Sequence, residues 1–555
     1  MRLLPGIAVL RGYDRAWLPS DLLAGLTVGA MLVPQGMAYA ELAGMPPITG
    51  YYAALLGLVV YAILGTSRHL GVGPEPGTAV LAATGVGWIA GGDPARYAGL
   101  MATLAVLVGA LCLAAAVLRM GFLAELLSKP VLVGYISGVG LTLLSSQLGK
   151  ALGVPIAGDG FFPRFFDLPQ KIGQTHLLTL ALFAGSLALM LALRRLAPKL
   201  PGALLAVALA TLASVAFDLP ARGVRVVGEV PSGLPAFSVP SLALSDFRAL
   251  LPTALGIALI GYTDNVLTAR SIGARLGYRI DSNQELVALG AINLAAGVSH
   301  GFPVSSSASR TAVPASLGSK SQLVGLVAAA FLVLTLLLLG PVLSRMPQPA
   351  LAAVIVSAAL SVIDLAGLKR LWKTTRAELA LAVFAALGVM IFDVLDGVML
   401  ALGASVLLAL ARIALPHDAV LSASETLDGW VDAEQYDLEP THPGLLVYRF
   451  DAPLFFANAS RFRERLHLML DKKPGDEDWV VLDFEGIGEV DATALEMLEE
   501  LVLELAARGV TVAIARANER AMGRLARASL LAPAGKILSF ATIASAVKAF
   551  DARST

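Results

Sequence analysis

The residues best suited to chemistry cluster in "SHGFPVSSSASRTAVPASLG", Ser299 to Gly318. Ser305, Ser306, Ser307 and Ser309 offer hydroxyl donors, and Arg310 offers a planar fork of N–H groups that matches an oxyanion. Upstream, Asp264 sits inside the apolar run "ALGIALIGYTDNVLTAR". An ionised carboxylate is costly there and marks a functional site by default. It could pair with Arg310, hold a cation, take up a proton as an anion enters, or cap a neighbouring helix. This set can bind an anion and move a proton, but it has no means of breaking bonds. The six histidines and the serines show no nucleophile–base spacing, and no P-loop pattern G-x-x-x-x-G-K-[ST] occurs. No enzyme, cofactor or metal site is therefore expected, and His300 reads as a loop residue. Cys112 is the single cysteine, which excludes an intrachain disulfide framework and a cysteine-rich metal site.

These groups lie in an apolar chain. Of its 555 residues 57% are hydrophobic and 15% charged, with a mean hydropathy of +0.75, whereas soluble domains carry about 25% charged residues. This composition predicts a polytopic membrane protein embedded in a lipid bilayer. Lys plus Arg equals Asp plus Glu at 41 each, so bulk charge gives no sign of a nucleic-acid partner. The N-terminal stretch is broken by Pro5, Gly6 and "RGYDR" and has no small-residue cleavage site, so no cleaved signal peptide is expected.

Two segments must position the chemistry. Most of the apolar runs between Leu22 and Arg412 approach the ~20 residues that span hydrocarbon as a helix. Leu100–Leu118, His176–Leu193, Leu250–Thr268, Leu323–Leu343 and Leu379–Phe392 are clear cases. In "SRHLGVGPEPGTAVLAATGVGWIAGG", however, Gly71, Gly73, Pro74, Pro76 and Gly77 delay a helix until about Thr78, leaving a half-length one to Ile89. The serine cluster repeats this: Gly301, Phe302 and Pro303 precede a short helix from about Ser305 to Val313, before Pro314. Non-helical backbone at membrane depth must be buried in protein or line a water-filled cavity, and a matched pair of such breaks points to a transporter site. A helix start presents unpaired N–H groups and about half a positive charge. Two starts meeting at Gly77–Thr78 and Ser305–Ser309 would cradle an anion. The alternative is a serine-rich external loop with Arg310 reaching the headgroups. Glu75 would oppose an anion unless protonated or turned away, and it can cap the first short helix. Gln35 and Tyr39 in "LVPQGMAYAELAG" can face a cavity or simply pack, and Glu41 is interfacial.

Three regions are expected: a membrane domain over 1–414, a polar linker over 415–440, and a soluble α/β domain over 441–555. The last carries "LLVYRFDAPLFFANASRFRERLHLML" and a strand–loop–helix–strand pattern through "DWVVLDFEGIGEVDATALEMLEELVLELAARGVTVAIARA". Arg2, Arg11 and Arg15, then Arg194, Arg195 and Lys199, then Arg270, Arg275 and Arg279, then Lys369, Arg370, Lys373 and Arg376 fall in alternating loops. The positive-inside rule puts these loops and both termini in the cytoplasm, with an even number of crossings. Lys150, Arg164, Lys171, Arg222 and Arg225 run against that bias.

Four stretches carry a family resemblance. They are "DLLAGLTVGAMLVPQGMAYAELAGMPPITGYYAALLGLVVYAILGTSRHLGVGPEPGTAVL", "FLAELLSKPVLVGYISGVG", "GFPVSSSASRTAVPASLGSKSQL" and "VVLDFEGIGEVDATALEML". Nearly the whole chain, in order, resembles the SulP family of anion permeases, which includes sulfate permeases, pendrin and prestin. The last stretch resembles a STAS domain, the cytoplasmic module shared with bacterial anti-sigma-factor antagonists. The resemblance implies fourteen transmembrane helices in two inverted seven-helix repeats. It also implies a core unit that moves against a gate unit as an elevator, and homodimers. By motif match, Gln35 and Tyr39 line the substrate from the first helix, Glu75 lies at the mouth of the third, and Ser309 and Arg310 lie in the tenth-helix site. Asp264 matches an eighth-helix position, often Glu, that is associated with proton or sodium coupling. Many vertebrate exchangers have an aromatic residue where Glu75 stands, so substrate and coupling ion stay open. Asp491-Ala492-Thr493-Ala494 replaces the antagonists' Asp-Ser-Ser-Gly turn. Thr493 keeps a hydroxyl where a regulatory phosphate would go, while Asp491 or Thr493 can equally cap the helix that starts there.

The expected function is secondary active transport of a small anion across the cell (plasma or inner) membrane, with proton-coupled sulfate uptake first. A dicarboxylate or bicarbonate carrier, with or without sodium coupling, an exchanger, a chloride channel, and an anion-sensing protein signalling through the STAS domain are the alternatives.

Overall fold

A computed structural model describes residues 4–125, 128–158, 160–197, 200–228, 233–240, 243–392, 394–424, 427, 429–439, 442–471, 478–532 and 536–553. Arg2 and Lys199, two of the cations that mark cytoplasmic segments, and Thr441, where the soluble domain is expected to start, lie outside these residues. The chain divides into two compact units, Met1–Ser405 and Val406–Thr555.

Apolar helices dominate the first unit. In chain order we label α1 Leu18–Leu42, α2 Thr49–Leu64, α3 Pro76–Ala90, α4 Pro94–Val117, α5 Lys129–Leu152, α6 Leu177–Leu196 and α7 Gly202–Ala216. There follow α8 Leu244–Leu276, α9 Ser282–Val298, α10 Ala308–Ser316, α11 Leu323–Leu338, α12 Gln348–Val362, α13 Arg376–Phe392 and α14 Val394–Ala414, which runs past the end of the first unit at Ser405. Among the described residues, seven segments are long and apolar enough to cross a membrane by themselves. The short α3 and α10 are the two broken segments, each entered through a two-residue strand: β1 Val72–Gly73 and β2 Ser305–Ser306. Pro314 falls inside α10 rather than ending it. A proline removes only the bond to the carbonyl four residues back, and this helix ends within the same turn.

Packing repeats under a shift of seven helices. α4 packs on α9 as α11 does on α2, and α1 packs on α11 as α8 does on α4. Likewise α1 packs on α10 as α8 does on α3, and α5 on α13 as α12 on α6. The strands before α3 and α10 pair antiparallel, Val72 with Ser306 and Gly73 with Ser305, so the two halves run in opposite senses. One bundle therefore comprises α1–α4 with α8–α11, and the other α5–α7 with α12–α14. Small residues permit the close crossings. A Cβ at Gly109 of α4 would lie 2.7 Å from the carbonyl oxygen of Gly290 in α9, and one at Gly290 would lie 2.9 Å from that of Gly109.

The repeat breaks between the bundles. α1 also packs on α7 and α12, whereas the shifted equivalents, α8 with α14 and α8 with α5, have no packing of that extent among the described residues. The unit is closed along α1 and parted along α8.

The second unit is an α/β sandwich around a sheet of order β4-β3-β5-β6-β7-β8. Its strands are β3 Asp418–Ser424, β4 Gly429–Asp432, β5 Leu445–Phe450, β6 Trp479–Asp483, β7 Thr511–Ala515 and β8 Leu538–Phe540. β5 to β8 run parallel, and a parallel sheet needs cover on both faces. Alternate residues supply it. Val480 and Leu482 pack with Phe462, Leu466, Leu498 and Leu501 of α15 Ala459–Asp471 and α16 Ala492–Ala507. Trp479 and Val481 pack with Ile543, Val547 and Phe550 of α17 Ile543–Asp551 on the other face. The expected polar linker over 415–440 is corrected: β3 and β4 lie within it, and β3 pairs antiparallel with both β4 and β5. "DAVLSAS" buries Ala419 and Leu421, yet its apolar residues Ala419, Val420, Leu421 and Ala423 do not alternate with polar ones, so it does not read as a strand by alternation alone.

Candidate functional site

The antiparallel pair of β1 and β2 brings the starts of α3 and α10 to one place. Gly71 and Gly73 make this possible: a Cβ at Gly71 would lie 2.8 Å from Cβ of Arg310, and Gly73 has φ +136°, open to glycine alone. A cavity of about 370 Å³ opens beside the strands. Tyr39 of α1, Glu75 and Thr78 of α3, Asp264 of α8, and Ser305, Ser306, Ser307 and Ser309 line it.

The two helix starts differ. The Thr78 N–H donates to Oε2 of Glu75 at 2.8 Å, so a carboxylate already meets the start of α3. Ser307 precedes α10 without capping it; its Oγ lies 3.0 Å from Oγ of Ser309, with either hydroxyl able to donate. The start of α10 thus faces the cavity with two hydroxyls and no side-chain acceptor. Ser305 donates to the Gly261 carbonyl at 3.2 Å, and Ser306 donates to Oδ2 of Asp264 at 3.4 Å. The sequence left open a pair between Asp264 and Arg310; the structure gives Asp264 the Ser306 hydroxyl instead.

Arg310 is fully buried and stands behind the strands rather than in the cavity wall. Its Nη1 donates to Oε1 of Gln35 at 3.3 Å, and among the described residues its Nε and Nη2 have no partner. Gln35 and Gly77 are also outside the wall. Gly77 abuts it, since a Cβ there would lie 3.1 Å from Oε2 of Glu75 and 3.2 Å from the Tyr135 hydroxyl. An unpaired buried guanidinium is costly and retained only for a use.

Sequence reasoning missed several participants. Leu132, Tyr135 and Ile136 of α5, Arg194 of α6, and Ala358, Ser361 and Val362 of α12 complete the wall. Arg194 had been read as a loop cation; its place in the wall comes from tertiary packing. Outside the cavity wall, the fully buried Glu285 of α9 accepts from Thr66 N at 2.8 Å, Thr66 Oγ1 at 2.6 Å, Tyr61 OH at 3.0 Å and Asn265 Nδ2 at 2.9 Å. An acid inside the apolar run after "DSNQ" was the available signal. His300 lies in a loop and shares a 2.8 Å hydrogen bond with Ser238. Glu41 pairs with Lys150 at 2.5 Å. In the second unit Asp491 accepts from Ala494 N at 2.8 Å and caps α16, while Thr493 is exposed in its first turn.

Inverted seven-helix halves, with two broken helices meeting at a polar cavity, define a membrane transporter fold. The chain matches the sulfate permease family over residues 18–385 and the STAS domain over 439–546. It is 45% identical over 549 residues to a probable sulfate transporter of Mycobacterium tuberculosis, covering 99% of this chain and 98% of that protein. It is 32% identical to chloroplastic sulfate transporter 4.1 of Arabidopsis thaliana, covering 95% and 79%. To human solute carrier family 26 member 6 it is also 32% identical, covering 83% and 64%. Murine solute carrier 26 family member A9, an anion transporter solved in the inward-facing state, superposes with a TM-score of 0.91 at 24% identity, covering 99% and 94%. The transmembrane domain of the cyanobacterial bicarbonate transporter BicA superposes with a TM-score of 0.62 at 21% identity, covering 71% and 98%. The chain belongs to the sulfate permease family. It is a multi-pass membrane anion transporter with fourteen membrane helices in two inverted repeats and a STAS domain.

Proposed function

We propose that the protein carries sulfate into the cell together with a proton, by movement of the α1–α4/α8–α11 bundle against the α5–α7/α12–α14 bundle. The uncapped start of α10 carries this reading: it faces the cavity with the Ser307 and Ser309 hydroxyls and is the one of the two helix starts that no carboxylate satisfies. An oxyanion there would take backbone N–H bonds, hydroxyl donors and the helix dipole. Arg310, two of whose nitrogens lack partners, supplies the long-range positive charge from behind. Gln35 orients it, while Tyr39, Thr78, Ser305 and Ser306 shape the pocket.

Asp264 and Glu75 argue for the proton. Two carboxylates face the cavity that the anion must share, and a divalent anion beside them is strongly repelled unless a proton accompanies it. Asp264 is the proton carrier in this scheme, because Glu75 is committed to α3 whereas Asp264, among the described residues, holds only a 3.4 Å bond. Alternating access is supported by the unequal contacts between bundles, closed along α1 and parted along α8. With both termini cytoplasmic, as the cation bias favours, Arg194 and the cavity mouth face the cytoplasm and the Glu41–Lys150 pair lies outside. The cell membrane, a homodimeric assembly and a regulatory role for the Thr493 hydroxyl complete the reading. In domain terms, 1–414 transports and 441–555 regulates or assembles.

The test is uptake of labelled sulfate into proteoliposomes, with fumarate, bicarbonate and chloride as competitors, under imposed proton and then sodium gradients. Accumulation driven by an inward proton gradient is expected. Accumulation driven only by sodium, or sulfate that neither accumulates nor competes, would move the coupling or the substrate.

A further inference from the structure

The second unit begins inside a membrane helix. α14 ends at Ala414, and its 19-residue apolar segment Asp396–Ala414 is long enough to cross a bilayer. At the helical rise that segment covers about 28 Å, against about 30 Å of hydrocarbon, so its end lies at one edge of the lipid core. From Val406 onward α14 belongs to the second unit. Whatever the folded domain fastens to this end is therefore held at the same edge.

Asn458 does the fastening. It is fully buried, and its Nδ2 donates to the Ile413 carbonyl at 3.2 Å and to the Pro453 carbonyl at 2.9 Å. Its Oδ1 accepts from the Phe455 N–H at 2.9 Å. The Ile413 carbonyl is among the last four of α14, which have no partner within the helix. One side chain thus caps the membrane helix and shapes the turn Pro453–Phe456. The turn is pinned a second time, since the Phe456 N–H donates at 2.9 Å to Oδ2 of Asp491, the residue that caps α16.

This doubly held turn presents an apolar ring. Phe456 is 69% exposed, more than any other large apolar side chain among the described residues from Asp418 onward. Phe455 stands edge-on to it, with ring centroids 5.2 Å apart. A lone exposed apolar residue is ordinary on a soluble surface. Phe456 differs because its turn is tied to the end of a helix whose Leu407, Leu410 and Ile413 are themselves exposed, with the exposed Leu415 directly after it. At that depth a ring meets the headgroups and the first carbons of the acyl chains, where aromatic and apolar side chains anchor proteins.

We propose that Phe456 inserts into the bilayer surface where α14 ends and anchors the STAS domain to it, the occupant of this exposed surface being lipid. The anchor fixes the domain by one apolar contact in addition to the chain itself. It rests on α14 crossing the membrane and is independent of the anion carried, of the coupling ion and of the roles given to the cavity residues.

Spin labelling of the full-length protein in liposomes tests it. Cys112 is the single cysteine and is buried, so Cys112→Ala gives a background into which Phe456→Cys places one nitroxide. Leu468→Cys and Leu503→Cys, at exposed positions well along α15 and α16, serve for comparison. The label at 456 is expected to collide with oxygen, which concentrates in lipid, severalfold more than with a water-soluble nickel chelate, and the ratio should exceed that at both other positions. Chelate access equal to that at 468 and 503 would place Phe456 in water and overturn the proposal. A label shielded from both reagents would mean that protein, such as a second copy of the chain, covers the ring, and would overturn it as well. Phe456→Trp keeps an aromatic side chain and gives a reading that does not depend on the label. The emission it adds to that of the wild type should be quenched by lipids brominated near the headgroup and spared by aqueous iodide, and the reverse pattern would refute the anchor.

Discussion

Arg310 donates a 3.3 Å hydrogen bond to Gln35 and, among the described residues, keeps Nε and Nη2 unpaired at zero exposure. Burying a charge on such terms costs several kcal/mol that an apolar side chain would save. The arginine therefore lowers stability, and its retention requires a function. Arg310→Met should raise stability in detergent by about 1–3 kcal/mol and weaken sulfate binding roughly tenfold to a hundredfold, the equivalent of one or two charge-assisted hydrogen bonds. Thermal unfolding of purified protein alongside uptake kinetics reads both. Loss of stability with unchanged uptake would make Arg310 a packing residue.

Asp264 is the proposed proton carrier, so Asp264→Asn should separate exchange from accumulation. The variant is expected to exchange labelled for unlabelled sulfate across proteoliposomes while no longer concentrating it under an inward proton gradient. An Asn variant that still responds to the gradient would transfer the coupling to another group.

Glu285 accepts from four donors contributed by Tyr61, Thr66 and Asn265, tying α2, α8 and α9 together. Removing the acceptor leaves those donors buried and unmet at about 1–3 kcal/mol each where they cannot rearrange. Glu285→Ala should accordingly lower stability by about 3 kcal/mol or more, and Glu285→Gln by much less, since the amide oxygen still accepts. Equal losses in the two variants, by thermal unfolding, would mean that the negative charge itself matters.

In the second unit Arg516 grips the buried carboxylate of Asp483 through Nε at 2.9 Å and also through Nη2, while Nη1 reaches Glu485 at 2.6 Å. The pair lifts the Arg516 pKa against the opposing effect of burial, which is the largest single influence on it. Arg516→Met strands the carboxylate, at a cost of about 1–3 kcal/mol once the partial exposure of the arginine is allowed for. Arg516→Lys should recover part of this, because an ammonium lacks the two-pronged geometry. Denaturant unfolding of the STAS unit measures it, and an unchanged midpoint would leave the pair energetically neutral.

The sequence was most informative where physics forces a pattern. Spanning helices need long apolar runs, so α4, α6, α8 and α11 could be located from hydropathy. The breaks at Gly71–Gly77 and Gly301–Pro303 stood out because backbone leaves the helix in lipid only for cause. The serines and Asp264 were visible as polar groups in apolar surroundings. What stayed hidden depends on which surfaces meet. Arg194 and Tyr135 become site residues only because α5 and α6 pack across the cavity from α3 and α10. Arg310 withdraws from the wall because Gly71 and Gly73 leave room behind the strands. That Glu75 satisfies one helix start and leaves the other open is a matter of rotamer and distance. β4 is only four residues long, and the apolar residues of β3 do not alternate with polar ones, so neither stands out in a stretch whose composition reads as a linker.

If one anion site is exposed to one side of the membrane at a time, sulfate counterflow must show it. Proteoliposomes loaded with unlabelled sulfate are diluted into tracer sulfate with no ion gradient imposed. A carrier returns its site loaded with tracer faster than the internal pool is relabelled, so internal tracer should rise above its equilibrium level and then decay. A monotonic approach to equilibrium with no overshoot would show a continuous pathway and contradict the account.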